Sequence, residues 1–326
     1  MQRNKGVFRV RKLQVALLLV ALVVSLVAGT AMAQQKVKIG VSIPSATHGW
    51  TGGVNYWAYE TEKRLEAVYP NLDFIVVTAG SAAEQINDLE DLLAIHQIDA
   101  LVILPFESDP LTEPVRFVKS QGVFVTVVDR GLSQPGIEDV YVAGNNAAMG
   151  RVSAEYIVQR LGGRGKIVIL RGIPTVIDNE RFDAFMEVIK DTDIEVLAWQ
   201  YAYWNRDDGF EVMQDFLTRF PQIDAVWAQD DDIAIGVIEA VRQAGRQNEF
   251  FIVPGAGMKE IVQRVMNGDQ LVPVTVSYPP SMIATAMEIT ALRYVSKAPI
   301  LGRYILDSPL ITRQNAAEYY FPDSPF

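Results

Sequence analysis

From Lys36 onward, short apolar runs alternate with longer stretches in which apolar residues recur every three or four positions. The first pattern reads as buried strand and the second as amphipathic helix. Lys36–Ile43 is β-rich, Gly52–Tyr69 helical, Leu72–Thr78 a strand, Ala82–His96 helical and Ala100–Leu104 a short apolar strand. Leu111–Gln121 is helical, and Val123–Val128 is almost entirely β-branched. The alternation then restarts. Helices are expected at Asn146–Leu161, Asn179–Lys190, Asp207–Phe220, Asp231–Ala244, Met258–Asn267 and Ser281–Ser296. Strands are expected at Lys166–Leu170, Ile194–Tyr203, Ala225–Ala228, Phe250–Val253 and Leu271–Ser277. Short apolar strands between amphipathic helices are parallel strands covered on both faces. Two successive series predict an α/β protein of two doubly wound parallel-sheet lobes.

The N-terminus departs from this pattern. Residues 1–14 carry Arg3, Lys5, Arg9, Arg11 and Lys12 and no acidic residue; an apolar run, Val15–Ala28, follows, then Gly29-Thr30-Ala31-Met32-Ala33. Charged, apolar and small-residue regions in that order make a secretory signal peptide over residues 1–33. The apolar run is short for a spanning anchor, the alternative reading. Cleavage after Ala33 removes five basic residues, so the net charge falls from −10 to (29 − 5) − 39 = −15. Such an acidic chain lacks the basic surface that nucleic acid requires. There is no cysteine. Disulfides, thiolate metal sites, a cysteine nucleophile and a lipid-bearing cysteine are thereby excluded. A freely diffusing periplasmic monomer without a cofactor is the expectation.

In doubly wound sheets ligands bind beyond the carboxyl ends of strands, so the residues there are the candidates. After the first strand come His48 and Trp50 in a glycine-rich loop, an imidazole and an indole that offer a polar edge and a flat face. Trp50 is equally able to cap the core. Asp129-Arg130 follows Val123–Val128, a carboxylate and a guanidinium suited to vicinal hydroxyls or to a surface ion pair. Trp204 follows the strand ending at Tyr203. Gln229-Asp230-Asp231-Asp232 follows Ala225–Ala228; one aspartate caps the next helix, another is free for ligand hydroxyls, and the spacing is not that of a calcium loop. Arg181 lies near a helix start, where a solvated charged turn is the alternative. Tyr278 precedes Pro279-Pro280, where a tight turn is the alternative.

These stretches together resemble the type I periplasmic binding proteins, in particular the ribose-binding-like sugar-binding group. The resemblance runs through Ala83–Ile103, Gly122–Arg130, Asn145–Gly172 and Gln222–Gly245. It implies two lobes joined by three crossing segments, with residues 36–144 plus 278–306 forming one lobe and 145–277 plus 307–326 the other. It also implies a sugar or polyol ligand between the lobes and a membrane ABC permease as partner. On the matching positions it implies ligand contacts from His48, Trp50, Asp129, Arg130, Arg181, Trp204, Asp230 and Tyr278. The chain departs from the pattern at Asp230 (usually asparagine), at Tyr278 (glutamine in ribose binders), at Ala256 (commonly aspartate) and at Leu104 (asparagine). The last two remove hydroxyl partners, argue against ribose and leave another pentose, a polyol, a cyclitol or a less polar ligand. The rival readings are a ligand sensor for a chemoreceptor or kinase, a secreted glycosidase acting through Asp129 and Asp230, and a repressor. The glycosidase lacks any feature that fixes its carboxylate separation. The repressor lacks DNA-binding helices.

Overall fold

A computed structural model describes residues 36–46 and 48–326; the signal-peptide reading of residues 1–33 lies outside the described residues. The first series is β1 (Val37–Pro44), α1 (Gly49–Val68), β2 (Leu72–Ala79), α2 (Ala82–Asp91) with a wide π-type turn at Leu92–His96, β3 (Ala100–Ile103), α3 (Ser108–Ser120), β4 (Phe124–Val128) and β5 (Val140–Gly144). The second is α4 (Asn146–Leu161), β6 (Arg164–Arg171), α5 (Val176–Ile189), β7 (Asp193–Tyr201), α6 (Arg206–Arg219), β8 (Ala225–Ala228), α7 (Asp231–Gln243), β9 (Phe251–Val253) and α8 (Lys259–Met266). The chain then runs through β10 (Thr275–Val276), α9 (Met282–Val295), β11 (Gly302–Leu306) and β12 (Leu310–Ile311).

The strands form a six-stranded sheet in the order β11-β5-β4-β3-β1-β2, a four-stranded sheet β7-β6-β8-β9 and a small antiparallel pair β10-β12. β1–β3, β3–β4, β4–β5 and β5–β11 pair in parallel, as do β6–β7, β6–β8 and β8–β9. Each larger sheet has its own core. Leu101, Ile103, Val125 and Val127 pack under α2 and α3 with Leu89, Leu111 and Val115. Ile167, Ile169 and Trp227 pack with Phe185 of α5, whose ring stacks on Trp227 at 4.0 Å. Complete burial of β3, β4 and β8 explains their unbroken apolar runs.

Three features differ from the expectation. β5 and β11 carry no recognised signal, yet together they extend the first sheet by two strands. Leu271–Ser277 shortens to the two-residue β10: Pro273 has no N–H for a ladder, and the Leu271 carbonyl instead accepts from the Ile252 N–H. α1, α3 and α5 each begin three residues early. At α5 the Thr175 hydroxyl accepts from the Asp178 N–H and fixes the start.

The chain passes between the layers three times: at Gly144–Asn145, at Ser277–Ser281 and at Asp307–Pro309. The passes are tied by backbone hydrogen bonds, Asn145 N–H to Leu306 O (2.9 Å) and Ser277 N–H to Pro309 O (2.9 Å). No helix among the described residues is long and apolar enough to cross a membrane.

Candidate functional site

A cavity of about 350 Å³ lies between the two layers and is lined by His48, Trp50, Asp129, Arg130, Ile177, Arg181, Trp204, Asp230, Ala256 and Tyr278. All eight residues singled out in the sequence are in this set. Ile177 was not, and Ala256 entered only as a departure. Ile177 carries no chemical signal and reaches the cavity because α5 starts early. Leu104 is fully buried in the first layer and is not part of the lining.

On the first layer, α1 begins at Gly49, so Trp50 sits on its first turn and not in a loop. The glycine-rich segment is helical because its amino end is capped. The Thr51 hydroxyl accepts from the His48 N–H at 3.2 Å, and the Asp232 carboxylate accepts from the Gly49 N–H at 3.0 Å. Burial and the neighbouring Arg130 cation, opposed by Asp232, lower the His48 pKa from 6.5 to about 4. The imidazole is therefore neutral near pH 7 and offers one donor and one acceptor.

Asp129 follows β4 in a left-handed conformation (φ 56°). Its N–H donates to Val142 O at 2.8 Å and its carbonyl accepts from Tyr141 Oη at 2.6 Å, which holds the turn. Tyr278 Oη donates to Asp129 Oδ1 at 2.5 Å, and the Tyr278 carbonyl accepts from Trp50 Nε1 at 3.0 Å. Burial, reinforced by the Asp129 charge, pushes the Tyr278 hydroxyl well above its usual range, so it stays a donor. Arg130 Nη1 donates to Phe106 O at 2.6 Å. Burial lowers its pKa, and Asp129 opposes the shift.

On the second layer, Arg181 is held by Asn146 Oδ1 (2.9 Å) and Gln229 O (3.2 Å), with its guanidinium 4.5 Å from the Tyr278 ring centre. Trp204 lies beyond β7 after a sharp reversal in which both Tyr203 and Trp204 are left-handed (φ 50° and 53°). The reversal turns Tyr203 out, at 53% exposed, and Trp204 in, at 7%. The indole lies against Gly172, where an added Cβ would stand 1.8 Å from Nε1. Trp204 Nε1 has no hydrogen-bond partner among the described residues.

The three aspartates divide their work. Asp230 lines the cavity and caps α7 through the Asp232 N–H (2.8 Å). Asp231 accepts from the Met258 N–H (2.6 Å) and the Thr275 hydroxyl (3.0 Å). Asp232 bridges Gly49 and Arg206. Burial, with Asp232 and Asp231 beside it, pushes Asp230 well above the carboxylate range. Burial raises Asp231 to about 7 against the pull of its donors. Among the described residues no group of three or more histidine, cysteine or acidic side chains is gathered as a metal site.

A cavity lined from both sides by strand-end residues, between two doubly wound parallel layers crossed three times, defines a type I periplasmic binding fold. The periplasmic binding protein domain model matches residues 39–297, and the chain belongs to that family. Similar relatives include the ribose import binding protein of Bacillus subtilis (29% identical over 219 residues, 67% of this chain and 70% of the relative). The xylitol-binding protein of Mycolicibacterium smegmatis is 31% identical over 237 residues, 71% of this chain and 65% of that protein. An ABC transporter solute-binding protein from Bacillus halodurans, solved with bound myo-inositol, shares the fold. Its TM-score is 0.78 at 22% identity, covering 89% of this chain and 99% of that one.

Proposed function

We propose that this protein is exported, captures a small uncharged polyhydroxy compound between its two lobes, and delivers it to a membrane ABC permease. The compound is a pentose, polyol, cyclitol or related sugar. One observation carries the reading. Two arginines and two aspartates line one cavity, and among the described residues neither guanidinium forms an ion pair with a carboxylate. A buried guanidinium without a countercharge is costly unless something satisfies its remaining donors. A hydroxyl donates one hydrogen bond and accepts others, so vicinal hydroxyls serve a guanidinium and a carboxyl together. Neutral His48 adds a further polar contact, and the Trp50 and Trp204 rings offer faces to C–H groups.

The lobes correspond to residues 36–144 plus 278–306 and 145–277 plus 307–326, and the three tied passes act as the hinge between them. Binding closes the lobes over the ligand. The permease and sugar reading is supported by the relatives named above. The mature chain starts at Gln34 in the periplasm and acts as a monomer.

A thermal-shift screen of the mature protein against pentoses, hexoses, polyols and cyclitols tests the proposal. A ligand at about one hundred times its dissociation constant adds roughly 2.7 kcal/mol. A hit that Arg130→Ala abolishes is the expected result. Silence across every carbohydrate class would overturn the polyhydroxy reading.

A further inference from the structure

The first turns of α1 are gripped from the opposite layer at points outside the ligand cavity. Asp232, on the first turn of α7, is 6% exposed and absent from the cavity lining. Its Oδ2 accepts from the Gly49 N–H at 3.0 Å, and its Oδ1 accepts from Arg206 Nη2 at 2.9 Å. A carboxylate of one layer therefore caps a helix of the other, where the helix dipole favours negative charge. The approach is close enough to require glycine. A Cβ on Gly49 would stand 2.7 Å from Asp232 Oδ2 and 3.3 Å from the Phe326 ring. One turn further along α1, a Cβ on Gly53 would stand 2.8 Å from Phe326 Cβ. One turn further again, Trp57 meets Phe321 edge-on at 5.7 Å.

Positions 49, 53 and 57 form a single stripe on α1. The segment they meet is fastened to the second layer: Lys259 Nζ on α8 donates to Pro322 O (3.2 Å) and Ser324 O (2.5 Å). Ile311 and Ala316, just before it, pack on Val262 and Val265 of α8. Phe326 is 4% exposed in this seam.

We propose that Asp232 and the Phe321–Phe326 segment form a latch that holds the lobes shut from outside the cavity, making Asp232 a positioning residue for every ligand alike. The inference rests on the reading of the two layers as lobes that part and close. The latch fixes the α1 amino end, and with it His48 and Trp50, in the position they hold when the cavity is complete. Opening must break the Gly49–Asp232 hydrogen bond and pull α1 off Phe326. A contact of this kind sets the fraction of molecules competent to bind, so its loss weakens all ligands by one common factor. Losing a charge-assisted hydrogen bond makes that factor about tenfold.

The sequence contains no cysteine, so two introduced cysteines carry spin labels without background. Glu113→Cys on α3 and Asp215→Cys on α6 place one exposed label on each layer. Interlabel distances are measured by pulsed electron resonance without ligand, in the full chain and in its Asp232→Ala, Asp232→Asn and Phe326→Ala variants. Far-UV circular dichroism establishes that each is folded. The latch predicts longer distances for Asp232→Ala and Phe326→Ala, and partial recovery in Asp232→Asn, which keeps an acceptor for Gly49. Distributions in both Asp232→Ala and Phe326→Ala that superimpose on that of the unmodified protein would overturn it. Affinities for xylitol, ribose and myo-inositol add a second readout: those that bind weaken by the same factor, and a changed order of preference would also overturn it. If none of the three binds, the ligand-free distances still decide the latch, while the polyhydroxy reading fails separately.

Discussion

The two walls of the cavity are made in different ways. The first-layer wall is wired by its own side chains: Trp50 donates to Tyr278 O, Tyr278 donates to Asp129, and Arg130 donates to Phe106 O. On the second-layer wall Arg181 is held by Asn146 Oδ1 and Gln229 O, but the aromatic face is placed by the backbone. Trp204 is thrown inward by two consecutive left-handed residues and seated on a glycine, with its Nε1 unpartnered among the described residues. Both walls are also packed closely on a glycine: an added Cβ on Gly144 would stand 2.2 Å from the Tyr278 ring, and one on Gly172 would stand 1.8 Å from Trp204 Nε1. Close packing leaves no room for a methyl group at either. Tyr278 has hydrogen bonds to hold it, whereas Trp204 Nε1 has none among the described residues.

Gly172→Ala has the largest expected effect. The added Cβ would stand 1.8 Å from Trp204 Nε1 and 2.2 Å from Cε2, so the indole must leave its position. Overpacking of this kind costs about 1–3 kcal/mol of stability. Loss of a buried aromatic anchor costs about 2 kcal/mol or more, so ligand binding weakens by about thirtyfold or more. Calorimetric titration against a ligand found in the screen checks it. Wild-type affinity in Gly172→Ala would mean that Trp204 is not a wall.

The walls also titrate with opposite signs. His48 on the first is lowered from 6.5 to about 4, so between those values the unfolded chain binds the proton that the folded chain refuses. Its contribution is complete above pH 6.5 and is lost as the pH falls through about 4, roughly 3 kcal/mol in all. Asp231 behind the second wall is raised from 3.8 to about 7. Its contribution is present below 3.8 and is lost as the pH rises through about 7. Urea denaturation at pH 4.5 and pH 8 separates the two. Relative to the unmodified protein, His48→Gln gains stability toward acid and Asp231→Asn gains it toward alkali. Parallel curves for all three would remove the difference between the walls.

The first wall was the more legible one in the sequence. His48, Trp50, Asp129 and Arg130 stand directly after apolar runs whose strand character is plain, so the strand-end rule reaches them. Arg181 and Tyr278 had ordinary alternatives as a charged turn and a tight turn, and only the resemblance to a family raised them. The small differences have local causes. α1 starts early because Asp232, distant in sequence, caps it, and no local pattern can show such a cap. β11 went unread because Gly302–Leu306 is mostly exposed, without an alternating face. Ala256 and Ile177 reach the cavity through backbone placement alone.

Tyr278→Phe tests the wiring of the first wall. The ring and its contact with Arg181 remain, while the donor to Asp129 Oδ1 is lost. Leaving a buried carboxylate one hydrogen bond short costs about 1.5–3 kcal/mol. Chemical denaturation should show that loss, and an unchanged midpoint would mean that the Asp129–Tyr278 bond does not organise this wall.

The smallest effect tests the backbone of the second wall and runs in the opposite direction. Tyr203 holds φ at 50° with its ring more than half exposed, so little packing is lost when the side chain is removed. A non-glycine residue in this region carries roughly 1–2 kcal/mol of strain. Glycine accepts the same angle without it, at the cost of about 0.5–1 kcal/mol of chain entropy. Tyr203→Gly should therefore leave stability unchanged or raise it by about 1 kcal/mol, whereas the same change at an ordinary exposed strand end lowers it. Asp129 on the first wall has a similar φ but cannot be relieved in this way, because its carboxylate is part of the wiring. Asp129→Gly should lose stability where Tyr203→Gly does not, and if both variants lose it equally, strain does not shape the second wall.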